Sequence, residues 1–193
     1  MHPSVPANNL KDLLALLRAK PGQMNYASIG VGSSSHLAGE LFNMMTGVKT
    51  QHIPYKGVAF AVTDVLGGQI DLSYASIPSA IQHIRAGKLK ALAVSSPQRT
   101  KALPDVPTML ESKNAPVSVS TWYSIMGPKG IPAPIVGRIR DEVVRIIDSP
   151  AMRDRLETLG AVPWTLDSAQ LLAVIKQDLA RWGPIVKASG AKI

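Results

Sequence analysis

Three times before Gly87 the sequence passes from a short apolar run, through a turn marked by glycine or proline, into a segment of helical periodicity. That alternation constrains the fold more than any other feature. Strands separated by helix-length crossovers pair in parallel, cross over right-handedly and bury both faces of their sheet. The expected fold class is therefore α/β, a parallel-type sheet flanked by helices. The pattern predicts strands over 24–28, 50–54 and 70–75, and helices over 36–45, 58–66 and from Pro78, as an N1 proline, to near Gly87. An earlier helix is capped by Asn8 or Asn9, carries Leu10, Leu13, Leu14, Leu16 and Leu17 at helical spacing, and is stopped by Pro21-Gly22. In the 36–45 helix, Leu37, Leu41, Met44 and Met45 share the face expected to point inward, with Gly47 as the stop.

Further along, 89–95 reads as a buried strand, 108–112 as a short helix and 117–126 as one long strand before Gly127-Pro128-Lys129-Gly130. An amphipathic helix over 132–147 is expected to turn Ile135, Ile139, Val143, Ile146 and Ile147 inward. Ser149-Pro150 opens another helix that ends at Gly160, 161–164 reads as a brief strand, and 167–189 as a terminal helix with Leu171, Ile175, Leu179, Trp182 and Val186 on one face.

Composition narrows the function classes. The 193 residues suffice for one domain, or one and a fraction. Cysteine is absent, which excludes disulfide scaffolds, Cys-ligated zinc, iron–sulfur clusters and Cys nucleophiles. No apolar run approaches the length of a membrane-spanning helix. Met1 to Pro6 shows neither a basic nor an apolar leader region, so no signal peptide is expected. The net charge of +8 invites a nucleic-acid reading, but the basic residues are scattered and form no aromatic-interleaved stripe. A positive field that draws in a small anion, or a generally basic secreted protein, accounts for the charge equally well, and no nucleic-acid partner is expected.

In an open α/β sheet, ligands sit beyond the carboxyl ends of the strands. The loops 28–35, 55–57 and 75–78 occupy that edge, and each feeds a helix N-terminus. The richest is Ser28-Ile29-Gly30-Val31-Gly32-Ser33-Ser34-Ser35-His36. Its glycines let backbone amides approach a ligand, and its hydroxyls add donors to a helix start that already favours negative charge. The same residues also suit an ordinary Ser-capped turn. The loop is not a dinucleotide fingerprint, since Ser35 stands where the third glycine belongs, and neither a phosphate-binding Gly-Lys-Ser/Thr nor a Gly-x-Ser-x-Gly elbow occurs. His36 beside Ser35 suggests a nucleophile–base pair, but sequence neighbours at a helix start do not face each other. His2, His36, His52 and His83 lack metal-ligand spacing, so neither metal nor cofactor is expected. Tyr55-Lys56-Gly57 offers a phenol, an ammonium and a helix start to an anion, or is a solvent-facing turn.

These residues carry a resemblance. Asn25-Tyr26-Ala27-Ser28, the run from Gly32 to Phe42, and Ile53-Pro54-Tyr55-Lys56-Gly57 resemble the Bug family. These are the TctC-type periplasmic binding proteins of tripartite tricarboxylate transporters. Asp64-Val65-Leu66-Gly67-Gly68-Gln69, Pro78-Ser79-Ala80, Gly87 to Val94, Leu103-Pro104-Asp105-Val106-Pro107-Thr108, Trp122 and the stretch from Gly127 to Val136 follow in family order. The resemblance implies a type II periplasmic-binding-protein fold, two α/β lobes hinged by crossing strands, with an anionic ligand between them. It implies that 1–122 is ligand-binding lobe two with its hinge strands, that 123–193 is the C-terminal portion of lobe one, and that the N-terminal part of lobe one is missing. By residue-wise likeness, Ser28, Gly32, Ser33, Ser34, Ser35 and His36 match the lobe-two ligand loop, and Ala75 and Ser76 match the loop where the family often carries Asp-Asn. Ala75 cannot pair with an ammonium, so the expected ligand is a carboxylate with no amine nearby.

The resemblance further implies a periplasmic setting and the membrane components of a tripartite transporter as partners. A natural short form without a leader would instead be cytoplasmic. A C-terminal segment without its lobe partners leaves apolar helix faces uncovered, so a homo-oligomer is expected. Two rivals stand beside the solute-binding reading. One is an enzyme using His36 and a serine hydroxyl, and the other is a ligand-sensing interaction module.

Overall fold

The computed structural model describes residues 1–112 and 115–191. Asn9 caps the first helix, α1 (Leu10–Ala19), by accepting a hydrogen bond from the Asp12 amide. The helix buries Leu10, Leu13, Leu14 and Leu17, the stripe its spacing predicts. Strand β1 (Asn25–Ser28) leads to α2 (Ser34–Thr46), β2 (Gln51–Pro54) to α3 (Val58–Leu66), and β3 (Leu72–Ser73) to α4 (Ile77–Arg85). All pairing is parallel, in the order β2-β1-β3, with Ala27 opposite Ile53 on one side and Ser73 on the other. The expected α/β class is what the chain adopts. Asn25 and Asp71 lock the start of the β1–β3 pair, each backbone amide donating to the other's side-chain oxygen at 2.9 Å.

Successive strand residues face opposite sides of a sheet, and β1 builds two cores in this way. Tyr26 joins the leucines of α1, Phe42 of α2, Leu72, Val117 and Val119. Ala27 joins Ala61 and Val65 of α3, Ile70, Ala80 of α4 and Leu89. The sheet is thus covered on both faces. Lys90 ties in the N-terminal segment, its Nζ donating to the carbonyls of Val5 at 2.8 Å and Ala7 at 2.9 Å.

Several expectations give way. In α2 the buried residues are Ser35, His36, Ala38, Gly39, Phe42 and Thr46, whereas Met44 and Met45 are about half exposed at 52% and 50%. Tyr26 sets this rotation. A Cβ at Gly39 would lie 2.4 Å from the Tyr26 ring, so the small residues of α2 must face the tyrosine. Strand β3 is shorter than 70–75, and α4 opens one residue ahead of Pro78. Residues 89–95 form no strand and make one isolated parallel bridge, Val94 to Thr108. Thr108 begins turns rather than a short helix. Residues 117–126 are extended without a ladder; the Val119 amide donates to Ser95 at 2.9 Å, and Val117 and Val119 are buried. Residues 161–164 likewise form no strand. Apolar character made these segments look like strands, but a strand also needs a partner edge.

The remaining helices are α5 (Ala133–Ile147), α6 (Pro150–Thr158) and α7 (Ser168–Ser189), and none has a buried residue. The α5 face expected to point inward is open, with Ile135, Ile139 and Ile146 exposed. An apolar groove runs along it, lined by these residues with Pro134, Arg138 and Val143. Helix α7 starts with a reciprocal capping box between Asp167 and Gln170 and packs against α2, with Trp182 partly buried on the first core and Leu179 exposed. Trp122 Nε1 donates to Asp178 at 2.7 Å, and Arg181 donates to the Ser118 carbonyl. Every buried side chain among the described residues lies at or before Val119.

Candidate functional site

The strand order places the site. From β1 the chain moves to one side of the sheet, and from β2 it crosses back past β1 to β3. The connection leaving β1 covers one face of the sheet through α2 and that leaving β3 covers the other through α4, the arrangement in which open α/β sheets bind ligands between the loops at the strands' carboxyl ends. Those loops are 28–35 and 75–76, which together with His36 in the first turn of α2 hold the eight residues singled out by sequence.

The first loop is held by its own groups. Ser28 is fully buried at the end of β1; its Oγ donates to the Gly30 carbonyl at 3.1 Å and accepts from the Gly30 amide at 3.2 Å. Ser33 caps α2 by accepting from the His36 amide at 3.3 Å, while its hydroxyl donates to the Gly30 carbonyl at 2.6 Å. Ser35 Oγ accepts from the Ile29 amide at 3.0 Å and lies 3.1 Å from Ser33 Oγ. Gly32, at φ +75°, turns its amide onto His36 Nδ1 at 3.1 Å. That left-handed backbone is one a side chain at Gly32 would resist.

These bonds divide the loop's polar groups in two. Among the described residues, the hydroxyls of Ser28, Ser33 and Ser35 are committed inside the loop, and the side chain of Ser34 is exposed without a partner. The amides of Val31, Ser34 and Ser35 likewise have no acceptor among the described residues. Ser34 and Ser35 are the first two positions of α2, whose orphan amides carry the positive end of the helix dipole. The loop therefore offers a cluster of backbone donors, flanked by the exposed apolar side chains of Ile29 and Val31.

Behind it sits a group that the sequence reading passed over. His52 of β2 stacks on His36 with ring centroids 3.9 Å apart and on Tyr26 at 5.1 Å. Its Nε2 is 2.6 Å from Ser28 Oγ. Burial first, and then the neighbouring His36, hold the His52 imidazole below the ordinary histidine range, with Glu40 pulling the other way. The Tyr26 hydroxyl donates to Glu40 at 2.7 Å; burial first, and then this bond, push its ionisation up. The parallel register sets His52 opposite Tyr26, a signal that becomes legible only once the strand pairing is known.

The other loops contribute less. Ala75 is exposed, and Ser76 caps α4 in position only, its hydroxyl donating to Ser79 Oγ at 3.1 Å. The Tyr55 phenol is committed to Asp64 at 2.6 Å, and burial and that bond push its ionisation up to about 12. No hydrogen bond joins the His36 side chain to a serine hydroxyl among the described residues, and the serine of the Ser28–His52 pair is itself fully buried. No cluster of metal-ligating residues occurs among the described residues.

The chain matches the tripartite tricarboxylate transporter family receptor over residues 1–191. It is 34% identical over 192 residues to the protein BugT of Bordetella pertussis, covering 100% of this chain and 59% of BugT. Its fold is similar to that of Rpa4515 of R. palustris, solved with adipate, at TM-score 0.93 and 28% identity, covering 98% of this chain and 63% of that one. It is also similar to MatC of Rhodopseudomonas palustris, solved with bound malate, at TM-score 0.82 and 28% identity, covering 94% and 63% of the two chains. The chain thus spans about three-fifths of the length of the relatives it matches.

Proposed function

Since the chain belongs to the tripartite tricarboxylate transporter receptor family, we propose that it is a solute-binding protein that holds a small organic carboxylate without transforming it. The observation that carries this reading is the cluster of unpaired amides of Val31, Ser34 and Ser35 at the start of α2. Amides converging on one turn, with the helix dipole behind them, form charge-assisted hydrogen bonds to a carboxylate oxygen. In this reading Ser28, Gly32, Ser33, Ser35 and His36 shape the loop, Ser34 adds a hydroxyl, and Ala75 and Ser76 form the facing wall. Ala75 offers no charge to an ammonium, so the ligand has no amine beside its carboxylate. The adipate and malate in similar proteins support the same ligand class.

Residues 1–122 act as the ligand-binding lobe and 123–193 as part of a second lobe; Lys192 and Ile193 lie outside the described residues. The end of the buried side chains at Val119 supports that boundary. The working compartment is the periplasm, and the partners are the membrane components of a tripartite transporter. The open face of α5 favours self-association of the chain as it stands.

Isothermal titration with adipate, malate, a monocarboxylate and several amino acids tests the reading. One lobe supplies only part of a cleft's contacts, so carboxylates should bind with a Kd of about 1 mM. Amino acids bound in preference, or no carboxylate bound at all, would overturn it.

A further inference from the structure

A backbone amide only donates, so the 3.1 Å bond from Gly32 to His36 Nδ1 requires an unprotonated Nδ1. The single ring proton then sits on Nε2. Protonating His36 puts a second N–H where the Gly32 N–H already points, and two donors cannot share that line. Gly32 lies between Val31 and Ser34, two of the three residues whose amides have no acceptor among the described residues, and its backbone is left-handed at φ +75°. We infer that His36 is a positioning residue whose Nδ1 acceptor braces the Gly32 amide and so sets the loop for its ligand. The inference rests on the ligand reading of the loop but concerns what holds the loop in shape.

The surroundings bear on the charge. His52 of β2 lies face to face with His36 at 3.9 Å, so a proton on either ring repels one on the other. From β1, Tyr26 donates its hydroxyl to the His36 carbonyl at 3.3 Å and to Glu40, one turn along α2. Glu40 is the acid that favours the charged form of His52. Tyr74, after β3, packs edge-on to Tyr26. Helix α7, the remaining element against α2, carries Lys176, Asp178, Arg181 and Lys187; Asp178 and Arg181 spend their hydrogen bonds on Trp122 and Ser118.

The test compares the wild-type chain with His36→Asn, whose Oδ1 takes the place of Nδ1 as an acceptor that cannot be protonated, and with His36→Phe, which keeps a ring but no acceptor. The first readout needs no ligand: the Gly32 amide signal in NMR spectra. It should keep the hydrogen-bonded position in the wild type and in His36→Asn and move to a released position in His36→Phe. The second readout is adipate and malate affinity, expected to fall about tenfold in His36→Phe and less than about twofold in His36→Asn. A Gly32 signal unmoved in His36→Phe, or one displaced equally in His36→Asn, overturns the inference even if carboxylates bind. A Gly32 signal that moves as expected in a protein that binds neither acid supports the brace and removes the ligand reading.

Discussion

At position 52 one ring mediates between a strand and the loop beyond the next strand. His52 lies between Tyr26 and His36 and points its Nε2 at Ser28. Its neutral form is favoured in the fold, chiefly by burial, so its folded-state pKa is depressed relative to the unfolded value of about 6.5. The stability that follows is present above that unfolded value and is lost as pH falls toward the folded one. The thermal midpoint should therefore hold steady above about pH 7 and decline below about pH 6.5. In His52→Gln, which keeps an amide donor for Ser28 but does not titrate, scanning calorimetry should give a shallower decline. Equal slopes in the two proteins would remove His52 as the source.

The helices show how local signals become elements. Replacing Asn9 by alanine leaves the Asp12 amide without its 2.9 Å acceptor and should cost about 1 kcal/mol in urea unfolding. An unchanged midpoint would mean that burial of Leu10, Leu13, Leu14 and Leu17 alone fixes α1. Helix boundaries were legible in the sequence because caps and stops are written within a few residues: Asn9, Gly47, Gly57, Ser149 and Asp167 all flank helices where expected. Strands beyond β3 were not, because 89–95, 117–126 and 161–164 have the apolar character of strands but no edge to pair with. Helix faces fell between these cases. The periodicity of α2 is visible, but only the bulk of Tyr26 decides that Gly39 rather than Met44 turns inward. The loop 28–36 was legible as a strand–glycine–helix junction, whereas the commitment of its serines to one another depends on geometry that no spacing reveals.

Across the whole molecule, burial and apolar content part company. The core residues lie at or before Val119, while α5 is amphipathic with its apolar side in water. Exposed isoleucines aligned along one helix form a patch of the kind that drives association. The wild-type chain should therefore self-associate in light scattering at micromolar concentration, and Ile139→Asp should shift it toward monomer without lowering its thermal midpoint. A wild-type monomer at those concentrations would argue against the patch as an adhesive surface.

The two faces of β1 differ in bulk. Tyr26 fills one with a ring, while on the other Ala27 meets Ala61 and Ala80 of the covering helices. A one-residue slip of β1 would exchange the two faces and drive the tyrosine among these alanines. Under the proposed function that register fixes the floor beneath the 28–36 loop, so variants that accept longer or bulkier acids are expected to arise at Ile29, Val31 or Ala75 rather than in β1.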